Sequence, residues 1–377
     1  MTLIAGGKTI QIVQVSPKRL IQQQTSSLQM EGSRHEQQKQ SLSDLIPVID
    51  LAALNGDHID EFERRRIITE IAHACKTWGA FQLVNHGIQP HVIERARAKA
   101  CGVFELPNET RWKAKRSPGS LSGYGNGAVI ADAVNNEIAS EAITFGYPNS
   151  EADVIASIFW PRGNPGFSAS IDDYNEESHE LALKVVRLMV EGLELHGNLA
   201  HFQPYLTEHF GVLRINNYPA SEHPTRDIGL PPHIDDTLLT IVHQGCEVEG
   251  LQVKKDGQWV TVPPRGDVMV VLVAAVCQVI TNDNYKAVLH RAVPNRDKAR
   301  LSMVYSAYPP ANIFITAAPE FVSPAHPPLY KPFTWSEYLS GQVTHILNPI
   351  DGLQTVEREG ETQNQTSESS ESSSKLD

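Results

Sequence analysis

The sequence predicts an α+β protein, with a helical first part packed on a β-rich second part. Three observations carry that prediction. Apolar residues recur at helical spacing in three segments before residue 196. From residue 211 onward, short runs rich in Val, Ile, Leu and Tyr alternate with Pro, Gly, Asn and Asp. The 377 residues are 41% hydrophobic and 20% charged, the balance of a chain that buries a sizeable core.

Taken in order, residues 1–45 are rich in Gln and Ser, hold no sustained period and read as a flexible arm. Residues 59–77 set Ile68, Ile71, Ala72 and Cys75 on one helical face. FQLVNHG (81–87) reads as a strand ending in a Gly turn. Residues 90–104 repeat the helical pattern with Val92, Ile93, Ala96, Ala100 and Phe104, and residues 174–195 with Leu181, Val185, Leu188, Met189 and Leu193. GVLRINNY, LLTIVH, GLQV, QWVTV, VLHRAV and RLSMVYSA are strands of a sandwich or barrel, and DVMVVLVAAV is a longer buried strand. Residues 356–377 carry six acids, two bases and almost no apolar side chain. Such a segment cannot bury enough surface to offset its ordering entropy. The expected organisation is an arm over 1–45, a helical region over 46–205, a β core over 206–345 and a disordered acidic, Ser-rich tail over 346–377.

Charge and cysteine content narrow the function classes. With 32 basic and 44 acidic side chains, the net charge is −12. Phosphate backbones and anionic membranes call for a basic face, so no nucleic acid and no membrane partner is expected. No apolar run approaches the roughly 20 residues of a membrane helix. Cys75, Cys101, Cys246 and Cys277 form no CxxC pair, which suggests neither a thiolate metal site nor a disulfide framework and fits a reducing compartment, the cytoplasm. The start, MTLIAGGKTIQIVQ, lacks the continuous apolar core of a signal peptide, although the absence of acids before Glu31 leaves an organelle-targeting reading open.

The best candidates for chemistry lie in GLPPHIDDTLLTIVH. His233 and Asp235 are two residues apart, and on an extended strand such residues project to one face. An imidazole nitrogen and a carboxylate oxygen can then reach one point. His290 lies in the later run VLHRAV. Two His and one carboxylate make the facial set that suits iron(II) and leaves positions open. Among 15 histidines an H-x-D pair is by itself unremarkable, and a lone His290 would be an ordinary core or surface residue. A second cluster shifts the balance. Arg300 and Ser302 also share a strand face, and together a guanidinium and a hydroxyl recognise a carboxylate. A buried Arg needs an anionic counterpart. Tyr218 could support the same anion. Alternation from His233 through Asp235 puts His243 on the same face, where it either lines the cavity or is a hydrogen-bonded core histidine. Asp236 faces away and is not expected to be a ligand.

HIDDTLLT, NDNYKAVLHRAV and RLSMVYSAYPP together resemble the iron(II)- and 2-oxoglutarate-dependent dioxygenases, in the branch typified by isopenicillin N synthase and the plant hormone and flavonoid oxygenases. IPVIDLAAL, TWGAFQLVNHGI, VFELPNETRWKAK, SGYGNG, FWPRGNPGF, LRINNYPA, GLQVKKDGQWVTVPP and HPPLYKPFTWSEYL continue the resemblance in order. It implies a distorted jelly roll, or double-stranded β-helix, flanked by helices. By position, His233, Asp235 and His290 match the iron ligands. Arg300 and Ser302 match the pair that holds the distal carboxylate of 2-oxoglutarate, and Tyr218 and Asn216 fall in a motif that also faces the co-substrate. The resemblance implies Fe(II), 2-oxoglutarate and O2 as cofactor and co-substrates, with ascorbate as an optional reductant. It further implies a monomer that oxidises a small hormone- or flavonoid-like molecule by hydroxylation or desaturation, releasing succinate and CO2.

Three departures stand out. Asn217 occupies a usually aromatic position, His243 a usually aliphatic one, and Leu272-Val273-Ala274-Ala275 stands where relatives carry an N-x-G-D turn. An iron oxidase that does not use 2-oxoglutarate and an inactive ligand-binding homologue are the competing readings. Tyr124, Phe145, Phe314 and Phe333 are candidates for substrate contact or for plain packing.

Overall fold

The computed structural model describes residues 2–5, 8–11, 46–56, 59–117, 120–126, 140–195, 199–207, 210–222, 229–245, 247–338 and 353–355. Most of the arm and the expected tail over 346–377 lie outside the described residues, except that within the tail 353–355 are described, where Leu353 is buried and Gln354 bridges Tyr330. The chain divides into two units, Met1–Leu45 and Ile46–Asp377. In the first, β1 (Thr2–Ala5) and β2 (Lys8–Gln11) form an antiparallel hairpin.

The second unit opens with β3 (Val48–Asp50), α1 (Glu61–Thr77) and β4 (Ala80–Val84). The Asp60 carboxylate accepts from the Phe62 amide and caps α1, whose first turn carries Glu61 and Glu63 against the helix dipole. Ile67, Ile71, Ala72, Ala74 and Cys75 form its buried face; Ile67 is buried and Ile68 half-buried, a small rotation from the expected stripe. Gly79 ends the helix with φ +66°, and a Cβ there would lie 2.3 Å from the Lys286 carbonyl oxygen, so only glycine fits this turn.

Next come α2 (Pro90–Phe104), α3 (Asn108–Trp112), β5 (Gly123–Asn126), β6 (Glu141–Tyr147), α4 (Ala152–Phe159), α5 (Phe167–Glu191) and α6 (Gln203–Thr207). The α2 bounds coincide with the predicted ones. α5 begins seven residues before 174, because Ser168, Ser170, Asp172 and Asp173 dilute the apolar period in its first two turns.

The β-rich part holds β7 (Phe210–Tyr218), β8 (Leu230–His233), β9 (Leu239–His243), β10 (Leu251–Lys255), β11 (Gln258–Thr261), β12 (Met269–Val273), β13 (His290–Ala292) and β14 (Arg300–Tyr308). These strands shuttle between two sheets. β7, β9, β12 and β14 belong to an eight-stranded sheet in the order β3-β4-β12-β9-β14-β7-β6-β5, and β8, β10, β11 and β13 to a four-stranded one in the order β11-β10-β13-β8. Two sheets, antiparallel apart from the β3–β4 pair and filled by a shuttling chain, are the expected distorted jelly roll. The first part of the chain supplies β3 to β6, so the large sheet spans both halves of the sequence.

The long apolar run is not one strand. β12 stops at Val273, and Ala275–Ile280 forms a helix, α7. A continued strand would have to leave the sheet edge behind. Instead the amides of Ala275 and Val276 donate to the Asp235 and Thr237 carbonyls at 2.9 and 3.0 Å, and the chain coils back.

Side-chain parity separates the two faces of the large sheet. On β14, Leu301, Met303, Tyr305 and Ala307 are buried, and the Tyr305 hydroxyl shares a 3.0 Å hydrogen bond with Nδ1 of His179 on α5. Val304, Ser306 and Tyr308, on the opposite face, are half-buried. The helix side is closed; the other side lines the interior of the jelly roll.

Candidate active site

His233 ends β8 and His290 starts β13, and the two residues pair across the small sheet. Their ring centroids lie 4.2 Å apart. Asp235 follows β8 in a turn. Its Oδ1 is 3.4 Å from His233 Nε2, and its Oδ2 is 3.7 Å from His290 Nε2. One donor atom from each of the three lies within 4.8 Å of the others. Among the described residues they form the one such group of His, Cys and acidic side chains.

Second contacts orient the ligand atoms. His233 Nδ1 is 2.8 Å from the Pro231 carbonyl, and His290 Nδ1 is 3.1 Å from the Val288 carbonyl. A carbonyl only accepts, so each Nδ1 carries the proton and each Nε2 presents a lone pair to the shared point. Burial, reinforced by His233, pushes His290 down to about 4, so its imidazole is neutral at pH 7. Burial works against ionisation of Asp235, but His290 and His233 outweigh it and hold the carboxyl below the usual carboxylate range. Asp235 Oδ2 is buried without a hydrogen-bond partner. Two imidazoles that turn Nε2 inward and one carboxylate with an orphaned oxygen fit a divalent iron ion.

Asn216, Tyr218, Arg300 and Ser302 share the interior face of β7 and β14. Arg300 pairs with Tyr218 across β14 and β7, and Ser302 with Asn216. Arg300 is 2% exposed, and its Cζ lies 5.2 Å from the centre of the Tyr218 ring. Asn216 Nδ2 donates to Ser302 Oγ at 3.5 Å. The structure thus brings His233, Asp235 and His290 to one point and sets Arg300, Ser302, Tyr218 and Asn216 together on two paired strands.

Parity also reveals one residue missed by the motif search. Arg214 shares the interior face with Asn216 and Tyr218, and its Nε donates to Asn216 Oδ1 at 2.7 Å. Burial pulls its pKa below the usual value, while Tyr218 and Asp235 act in the opposite sense. The i, i+2, i+4 spacing of R-I-N-N-Y was the available signal.

Other expectations change. His243 pairs with Met303 and so faces the helix side, where Nε2 is 3.1 Å from the Gly266 carbonyl. The turn at 234–238 interrupts the strand, so parity does not carry from His233 to β9. His243 instead borders a surface cleft of about 1070 Å³ with His86, Glu94 and Arg97. Tyr124 and Phe145 also face the helix side. Tyr124 packs edge-on against Trp112, accepts from Arg111 and donates to Glu141, and Phe145 packs on Phe167. Phe314 is 68% exposed, and Phe333 is buried beside Tyr338. Asn217 turns outward and donates to Glu141. Asp236 hydrogen bonds Tyr338, away from the triad; burial and the Asp235 charge push it up to about 6.

Known proteins bear on this site. Residues 209–308 match the 2OG-Fe(II) oxygenase superfamily, and residues 46–163 match the N-terminal region of non-haem dioxygenases in morphine synthesis. The chain is 36% identical over 306 residues to gibberellin 3-beta-dioxygenase 1 of Arabidopsis thaliana, covering 80% of this chain and 81% of that protein. It is 35% identical over 300 residues to oxoglutarate-dependent flavonoid 7-O-demethylase 1 of Ocimum basilicum, covering 78% and 77%. The crystal structure of JOX2 in complex with 2OG, Fe and JA superposes with a TM-score of 0.67 at 31% identity, over 78% of this chain and 84% of that one.

Proposed function

Because the chain belongs to the 2OG-Fe(II) oxygenase superfamily, we propose that His233, Asp235 and His290 hold the iron and that Arg300, Ser302, Tyr218 and Asn216 hold 2-oxoglutarate. The converging, buried triad with both Nε2 lone pairs turned inward carries this reading. Bound there, iron(II) supplies dioxygen activation coupled to the oxidative decarboxylation of 2-oxoglutarate to succinate and CO2.

The protein's own residues supply orientation. The Pro231 and Val288 carbonyls retain the Nδ1 protons and keep both rings in one tautomer. The Ala275 amide fixes the Asp235 backbone. Arg300 meets the distal carboxylate with paired N–H donors, and Ser302 adds a hydroxyl. Tyr308 stacks on Phe210 at 5.1 Å and leans on Trp335, an aromatic wall beside the half-buried Val304 and Ser306. The substrate is a small, largely apolar molecule of the hormone or flavonoid kind, oxidised at a C–H bond. The names of the relatives support that class, and Arg214 adds a cation for an acidic group on it.

No helix among the described residues is long and apolar enough to cross a membrane. The reading keeps a monomer in the cytoplasm that engages neither nucleic acid nor membrane, supported by the net charge of −12 and by the free thiols of Cys75 and Cys277.

Anaerobic iron(II) titration with 2-oxoglutarate tests the assignment. The weak visible charge-transfer band of a chelated 2-oxo acid is expected in the wild type and at much higher 2-oxoglutarate in Arg300→Ala. Bound iron without a band overturns the co-substrate site and favours an oxidase that does without it. No bound iron overturns the ligand set.

A further inference from the structure

Gln244 lies just beyond β9, outside every motif discussed above. It is 2% exposed, so its amide must find partners within the protein. Nε2 donates to the Val262 carbonyl at 3.2 Å and the Pro263 carbonyl at 3.1 Å. Both amide hydrogens are thereby engaged, which decides the orientation: a flipped amide would set Oε1 against two carbonyl oxygens. The remaining group, Oε1, accepts from Arg300 Nη2 at 3.3 Å. Two other contacts shape the cradle. The Tyr218 ring faces the guanidinium, and Gly250 passes so close that a Cβ there would lie 2.6 Å from Arg300 Cδ and 2.9 Å from Nε.

We propose that Gln244 is a positioning residue for 2-oxoglutarate binding, fixing the Arg300 guanidinium through a neutral acceptor that adds no negative charge of its own where the distal carboxylate would bind. The inference rests on the assignment of Arg300 to the co-substrate. A carboxylate in the same place would bind a buried guanidinium more strongly, but it would cancel the charge and repel the incoming dianion. An amide gives direction without neutralisation. Its anchors, Val262 and Pro263, follow β11 of the small sheet, so the guanidinium is referenced to both sheets at once.

The test uses the full chain loaded with iron(II) under anaerobic conditions, with two probes: 2-oxoglutarate, and 2-oxovalerate, which has the same five-carbon chain and 2-oxo acid head but no distal carboxylate. Each dissociation constant is read from the charge-transfer band. The wild type is expected to prefer 2-oxoglutarate. Gln244→Glu should weaken 2-oxoglutarate by about tenfold or more while leaving 2-oxovalerate within about twofold. Gln244→Met, which removes the acceptor without adding charge, should erode the same preference less. The ratio of the two constants is taken within one preparation, so partial misfolding cancels, and melting temperature is recorded beside it. Unchanged selectivity in both variants, or parallel weakening of both probes, overturns the proposal and leaves Gln244 a structural residue. A wild type without selectivity refutes the Arg300 assignment, and this inference with it.

Discussion

At Asp235, burial and charge pull in opposite directions. Burial favours the neutral acid, the two imidazoles favour the carboxylate, and the carboxylate prevails. With Oδ2 left unbonded, the site holds a negative charge that the protein alone does not fully satisfy. Asp235→Asn keeps the shape and removes that charge. The variant should fold and melt close to the wild type, yet bind iron(II) more than about 100-fold more weakly, since losing a ligand exceeds the effect of losing a residue behind one. Iron titration with a parallel melt checks this, and wild-type affinity would remove Asp235 from the ligand set. R-x-S was legible in the sequence because side-chain parity on a strand puts alternate residues on one face; H-x-D was legible by its spacing, although Asp235 reaches the shared point from the turn after β8. The same rule misplaced His243, because the turn at 234–238 resets parity. Gln244 and Gly250 gave no sequence signal, since they act by packing and by backbone proximity to Arg300.

Among the elements, α7 decides whether the missing N-x-G-D turn matters. An apolar run of Val, Leu and Ala has no period that tells a buried strand from a buried helix, so the sequence alone read DVMVVLVAAV as one long strand. The structure ends that strand at Val273 and starts the helix, whose first amides take over the task of polar turn groups by donating to the Asp235 and Thr237 carbonyls. Backbone, rather than side chain, steadies the turn that carries the carboxylate. Ala275 occupies the first helical position after Ala274, which is extended at φ −118° and ψ 175°. Proline is sterically acceptable there. Ala275→Pro should therefore delete little beyond the bond to the Asp235 carbonyl, costing about 1–2 kcal/mol in denaturant unfolding and weakening iron binding measurably. Iron affinity equal to the wild type would show that the turn holds itself in place.

On the scale of the whole body, the proposed ligands come from separate strands of both sheets. β8 and the turn after it supply His233 and Asp235, β13 supplies His290, and β7 and β14 supply Asn216, Tyr218, Arg300 and Ser302. A β sandwich or barrel was legible from its spaced apolar runs, and its jelly-roll form from the resemblance to the dioxygenases. The extension of the large sheet by β5 and β6 was not, because SGYGNG is Gly-rich and EAITFGY sits amid helical segments, and their place is set by pairing with β7. A site assembled across both sheets exists in the folded body and not in the unfolded chain, so occupancy must stabilise the whole. At ligand concentrations about 100 times the dissociation constant, the gain is about 2.7 kcal/mol, which for a body of this size corresponds to a rise in melting temperature on the order of 5 °C. Iron(II) with 2-oxoglutarate, under anaerobic conditions, should produce that rise. A chelator should reverse it, and 2-oxoglutarate without metal should produce less, because two of its oxygens then lack their partner. Asp235→Asn should abolish the metal-dependent part and Arg300→Ala the part added by 2-oxoglutarate. A melting temperature indifferent to both ligands in the wild type would mean that the strands meet without forming a site.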